Sequence, residues 1–409
     1  MVPEGWKLEA LSDAVKVIDC KHRTPKYVDS GIPLISPGTI KWGALDLNSP
    51  VKRVSESEYE SLMDHCTVDI GDLVMSRNQS LGIASYVESH EPFVLGQDTV
   101  LIKPITANIK FIFYKLQSDT VQKNIIKLAG GSTFSRINLA DIRKLKVSLP
   151  PISQQKKIAQ ILSTWDKAIT ITEQLLTNSQ QQKKALMQQL LTGKKRLLDE
   201  NSVRFSGEWE SFTLNELFTF KRGKGLSKGD ISKTGKNRCV LYGELYTCYA
   251  EVIENVYSRT DKDEAELSES GDILIPSSTT TSGIDLANAT AILENGVLLG
   301  SDINILRPRS ELSSQFMAHV LTHVKRYEIA SMAQGITIIH LYGSDLKKLK
   351  VSIPVKLEEQ IKISQVLSSI DKELQQLQIK LEILRNEKKA LMQQLLTGKR
   401  RVEVDEDAA

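Results

Sequence analysis

The chain has 409 residues, 41% of them hydrophobic, and 53 Lys and Arg against 50 Asp and Glu leave a formal charge of +3. That length predicts two or three domains with sizeable cores, and a pI near 8.4 permits an anionic partner without requiring one, since strongly basic binding domains often exceed pI ~9. No run approaches the ~18 apolar residues of a membrane span and no basic-then-apolar leader opens the chain, which excludes membrane classes and predicts a cytoplasmic protein.

Taken in chain order, PEGWKLEAL around Trp6 precedes CKHRTPKY (Cys20 to Tyr27), where an internal proline predicts a loop. This loop offers Lys21, His22, Arg23, Thr24 and Lys26 to phosphates or guanine edges, and Tyr27 for stacking or packing. GDLVM at Gly71 predicts a strand, and the polar loop SRNQS follows it, with Arg77, Asn78 and Gln79 placed to read base edges. LGQDTVLIKP (Leu95 to Pro104) comes next, and RKLKVSLP (Arg143 to Pro150) reads as a strand ended by proline.

A long helix is predicted after it. Ile158, Leu162, Trp165, Ile169, Thr172, Leu176, Ser179, Lys183, Leu186 and Leu190 alternate steps of four and three, the a/d spacing of a coiled coil with a polar middle. The helix closes on KKALMQQLLTGK (Lys183 to Lys194), whose Gly193 suits the left-handed residue after a helix.

The second half repeats this plan. The same twelve residues recur 205 positions further on, at Lys388 to Lys399. SGEWESFTL around Trp209, GDILI at Gly271, LGSDINILRP at Leu299 and KKLKVSIP at Lys347 match their counterparts in order. Ile363, Leu367, Ile370, Leu374, Leu377, Leu381, Leu384, Lys388, Leu391 and Leu395 continue the seam. The loops differ: FKRGKGLSKGD sets Lys221, Arg222, Lys224 and Lys228 among glycines that would let a backbone approach a phosphate. SSTTTSG offers the hydroxyls of Ser277, Ser278 and Thr279. Duplication is therefore strong in the helices and weak in the globular regions. Equal helix lengths and one register favour antiparallel pairing within the chain over pairing with a second copy.

Catalytic signatures are missing. There is no GxxxxGK[ST] phosphate loop and no HExxH, and the Pro150-Pro151 pair lies in LPPI, outside the [DNS]PP[YFW] signature of amino-group methyltransferases. GKGLSKG (Gly223 to Gly229) is one residue too long for a dinucleotide loop. Cys20, Cys66, Cys239 and Cys248 show neither CxxC spacing nor histidine partners, and the six histidines form no recognisable metal pair, so free thiols and no metal site are expected.

Two divergent domains, paired long helices, and the helix entries LPPISQQKKIAQIL and IPVKLEEQIKISQVL resemble the specificity subunit of type I restriction-modification enzymes across nearly the whole chain. KHRTPKYVDSGIPLI resembles one class of target-recognition domain in that family, and FKRGKGLSKGDI with LYGELYTCY resembles another. The resemblance implies an α/β fold: two target-recognition domains in tandem, separated by a pair of long antiparallel coiled-coil helices with pseudo-twofold symmetry. The expected boundaries are domain 1 at 1–150, helix 1 at 151–194, a linker at 195–208, domain 2 at 209–354, helix 2 at 355–398, and a disordered acidic tail at 399–409. It implies a non-catalytic subunit that reads a bipartite, asymmetric site in double-stranded DNA. Two methylation subunits would carry S-adenosylmethionine and modify adenine, and two restriction subunits, where present, would use ATP and Mg. Rival readings are the specificity part of a related defence system with a different nuclease partner, a coiled-coil adaptor for other proteins, and an unrecognised hydrolase.

Overall fold

Each half opens on a strand that pairs antiparallel with the strand closing its own domain: Lys7–Ala10 with Lys146–Leu149, and Trp209–Thr213 with Lys350–Pro354. The KLKVS segments are thus strands, and each ends where proline removes a backbone donor. The computed structural model describes residues 2–129 and 135–404. The chain divides into two units, Met1–Glu173 with Ile379–Ala409, and Gln174–Gln378.

Within the first unit, five strands lie in the order Val15–Asp19, Thr99–Pro104, Leu73–Ser76, Ala84–Tyr86 and Gly43–Ala44. The second has Phe218–Arg222, Ile303–Pro308, Asp272–Pro276, Thr290–Ile292 and Val252–Ile253 in the same order. In both, the first three junctions are antiparallel and the last parallel. A smaller sheet joins Ile32–Ile35 in parallel to Val94–Leu95, as Asn237–Val240 joins Leu298–Leu299. The GDLVM and GDILI strands are central and almost wholly apolar, as a strand covered on both faces should be. The α/β expectation of two tandem domains with long helices therefore describes the chain.

The long helices are Ile152–Leu190 and Leu357–Leu395, 39 residues each, or ~58 Å at ~1.5 Å per residue. Each of the seam positions named above is buried or half-buried. In the first unit Lys388 pairs with Asp166 at 2.5 Å and Arg385 with Glu173 at 2.6 Å. In the second Lys183 pairs with Asp371 at 2.5 Å and Ser179 donates to Glu373 at 3.3 Å. Numbers rise along one helix as they fall along the other, so the helices run antiparallel in each unit. Of the polar seam positions, Ser179, Lys183 and Lys388 are accordingly occupied by interhelical bonds, a device that fixes register at some expense in stability, while Thr172 donates to the Ala168 carbonyl of its own helix.

Two further repeats lock helix to domain. Gln155 accepts from the Asn108 backbone N–H and donates to the Pro150 carbonyl, and Gln360 does the same with Ser313 and Pro354. The repeated Thr-Gly-Lys is a helix stop: Gly193 and Gly398 both have φ of +69°, and a Cβ would meet the Trp209 ring at 3.1 Å or the Trp6 ring at 3.3 Å. The second helix thus ends against the opening of the first domain, where Lys115 donates to the Leu396 carbonyl at 2.6 Å.

Two expected segments differ in detail. Residues 195–208 are tied to the second unit, since Phe205 is buried and Arg196 makes a bidentate pair with buried Glu359. Of 399–409, Arg401 donates to the Glu4 carbonyl and Val402 packs on the first core, while 405–409 lie outside the described residues.

Candidate nucleic-acid interface

In the first unit the strand Val15–Asp19 feeds the CKHRTPKY loop, and this loop is braced rather than free. Lys21 donates to the Ser61 carbonyl at 2.6 Å and to Asp64 at 2.7 Å; Arg23 donates to Glu58 at 2.6 Å and to the Ser61 hydroxyl at 3.1 Å. The Lys26 backbone N–H also donates to Glu58, and the Arg23 hydrogen bond chiefly holds that carboxyl below its usual range. Helix Glu56–Met63, capped by Ser55, therefore positions the loop. His22 is exposed and bonded to Asp19 at 3.0 Å. Thr24, Lys26 and Tyr27 are exposed, with the Lys52 ammonium 4.9 Å from the Tyr27 ring centre.

The loop comes together with SRNQS. Lys21, Arg23, Thr24, Tyr27, Asn78 and Gln79 line one groove of about 390 Å³. Lys52 and Gln97 line it as well, and the sequence reading did not single them out. Asn78 donates to Asp98 at 2.7 Å, and Arg136, also missed, pairs with Asp98 at 2.6 Å. A signal did exist: Asp98 and Asp302 occupy the same place in LGQD and LGSD, and both have φ above +60°. That is a conformation non-glycine residues seldom adopt without a local reason.

Arg77 requires correction. Its side chain is 5% exposed, with one nitrogen, Nη1, donating to both carboxylate oxygens of Asp19 at 2.8 and 3.0 Å and Nε donating to the Ile137 carbonyl. It ties the SRNQS loop to the strand Val15–Asp19, and its burial does not match the exposed position expected of it.

In the second unit Lys221 pairs with Glu266 at 2.9 Å, and Arg222, 64% exposed, pairs with Asp302 at 3.0 Å. Lys224 and Lys228 are exposed. Lys228 lines a groove of about 660 Å³ with Tyr242, Tyr246, Thr247, Ser301 and Asp302. Packing requires two of the glycines: a Cβ at Gly223 would stand 2.0 Å from the Gly300 carbonyl oxygen, and one at Gly225 2.6 Å from that of Glu264. Ser277, Ser278 and Thr279 are buried, and the last two pair with Ile339 and His340 in a short ladder. Their role as exposed readers is likewise withdrawn. They support the turn before His340, where Ile336 is 99% exposed.

Among the described residues no helix is long and apolar enough to cross a membrane. The model of the type I restriction modification DNA specificity domain matches residues 3–178 and 206–385. A putative type I restriction enzyme MjaX specificity subunit from Methanocaldococcus jannaschii is 27% identical over 98% of this chain and 95% of its own length. The MjaVIII specificity subunit of the same organism is 23% identical over 98% and 94%. Among solved structures, the S subunit of a type I restriction-modification system from M. genitalium superposes with a TM-score of 0.61 at 18% identity, covering 99% of this chain and 97% of that one. With the family model spanning most of both halves, and the same topology built twice, the chain belongs to the type I restriction-modification DNA specificity family.

Proposed function

We propose that the chain is the sequence-reading subunit of a type I restriction-modification complex, each unit reading one half of a bipartite DNA site. One observation carries this. The two units share a strand order and register, yet the loops after the strands Val15–Asp19 and Phe218–Arg222 differ: Lys21 to Tyr27 with Lys52 and Gln97 in one, Arg222 to Lys228 with Tyr242 and Ser301 in the other. A common scaffold with unlike readers is what an asymmetric target demands, and a pseudo-twofold arrangement would read the halves on opposite strands.

The residues offered to DNA are Lys26, Thr24, Tyr27, Gln79 and Lys52 in the first unit and Lys224, Lys228 and Arg222 in the second. Lys21, His22, Arg23, Asn78 and Lys221 would act from their braced positions. Domain 1 is assigned to 1–150 and domain 2 to 209–354, with the helices setting the unread gap. Two methylation subunits would dock on the helices and supply S-adenosylmethionine for adenine modification; two restriction subunits would add ATP- and Mg-dependent cleavage. The complex would work in the cytoplasm, where its DNA lies.

The test is reconstitution. The chain alone should transfer no methyl group, and adding its methylation subunit should give S-adenosylmethionine-dependent modification at one bipartite sequence. Stoichiometric methylation by the purified chain would refute this division of labour, as would modification without sequence preference in the complex.

A further inference from the structure

His319, His323 and Glu251, none of which lines the groove of Lys228, converge in the second unit, with one ligand atom of each lying within 4.8 Å of the others. His319 ends helix Ser314–His319, and the next five residues, Val320–Val324, form a π-turn, an irregularity that recurs at functional positions. The turn carries His323 round beside His319, with ring centres 6.0 Å apart and planes 22° from parallel. Glu251, in the segment just before Val252–Ile253, accepts from His323 at 2.5 Å.

The duplicated scaffold shows what is unusual here. FIFYKL (Phe111 to Leu116) and FMAHVL (Phe316 to Leu321) occupy the same helix in the two units, each anchored at its N-cap residue by Gln155 or Gln360. Tyr114 stands where His319 does, and its hydroxyl donates to Asp166 at 2.6 Å and lies 3.2 Å from the Ser163 hydroxyl, which can donate to it. His319 is 1% exposed, and neither ring nitrogen has a partner among the described residues. An imidazole buried without any partner is costly, since each lone polar atom keeps its desolvation penalty. A cation held between these three side chains would give one of those ring nitrogens a partner.

We propose that Glu251, His319 and His323 bind a divalent transition-metal ion, with Zn²⁺ the best match, that clips the Glu251 segment to the helix carrying the histidines. Two imidazoles and one carboxylate are a donor set that zinc accepts at ~2.0–2.2 Å per bond. The hydrogen-bonded Glu251–His323 pair needs to open by less than ~1 Å to reach the spacing of ligands around such an ion. Glu251 and His319 also border a groove of about 350 Å³ that contains Cys248 and Asp371, leaving room for water or a further side chain as fourth ligand. HVLTH places its histidines at i and i+4, a pair that was not expected from the sequence, and the third ligand, Glu251, lies far away in the chain. Nothing in this assignment depends on the DNA reading.

The experiment uses the full chain, with Zn²⁺ titrated after chelator treatment, bound metal counted by elemental analysis, and Co²⁺ substituted for its visible spectrum. One ion per chain, a raised melting temperature, and a low-symmetry Co²⁺ spectrum are expected. Glu251→Gln and His323→Ala should each weaken binding at least tenfold. His22→Ala should not, although Asp19, Cys20 and His22 form the other close group of ligand types among the described residues. Anomalous diffraction at the zinc edge from crystals of the unaltered chain locates the ion without relying on the folding of any variant. Absence of stoichiometric binding, equal binding in all variants, or an anomalous peak elsewhere would overturn the proposal.

Discussion

At the scale of single residues, the candidate interface separates side chains that hold the loops from side chains left open to solvent, which the proposed function assigns to DNA. Arg77 belongs to the first kind: Arg77→Ala would take the buried guanidinium from Asp19 and leave it with exposed His22, costing on the order of 1–3 kcal/mol, and would lower the melting temperature with or without DNA. Lys26 and Lys228 belong to the second. Their alanine variants should melt like the parent, weaken binding of the assembled complex, and each reduce the slope of log affinity against log salt by about one unit. A Lys26→Ala complex with unchanged affinity and slope would return that lysine to an ordinary solvated surface. Arg23 and Arg222 fall between, since each is held by a carboxylate yet remains partly open. Truncating them should weaken one half-site apiece, by ~1–3 kcal/mol where the contact is to a base. Sequence reading located the loops but not this division. Lysines and arginines look alike in a string of letters, and the partners that distinguish them, Glu58, Asp64 and Asp19, are contributed by other segments.

Among the elements, the long helices were the most readable from sequence, because an a/d pattern is local and repeats many times. The pattern could not show that Lys183 and Lys388 face Asp371 and Asp166, since that requires knowing the direction of the partner helix. These pairs predict a non-additive cycle. Lys183→Met alone leaves Asp371 half-buried without its cation and should cost about 1–2 kcal/mol, whereas Lys183→Met with Asp371→Leu should recover most of it. Chemical denaturation of the four proteins measures the coupling, and strict additivity would mean that the pair does not specify register. In the proposed function the helices also serve as a ruler. One matched heptad inserted near Thr177 and near Glu382 keeps both seams and adds ~10 Å to each helix. The unread gap should grow by about one to three base pairs at ~34 Å per DNA turn, with both half-sites unchanged. Full activity at the original gap would assign the distance to the partner subunits instead.

For the whole molecule, duplication was visible in the paired GD strands, the KLKVS strands and the helix ends, because each is set by burial that both copies need. The second small sheet and the crossing at Gly223 were not visible, since they arise from close backbone approaches between distant segments. What duplication accomplishes is the central claim: one unit, one half-site. It is tested most directly by replacing residues of about 10 to 140 with the corresponding domain of another family member and mapping modified bases after assembly with the methylation subunit. The account predicts that one half of the recognised sequence changes while the other half and the gap stay as they were. Changes in both halves, or in neither, would contradict it.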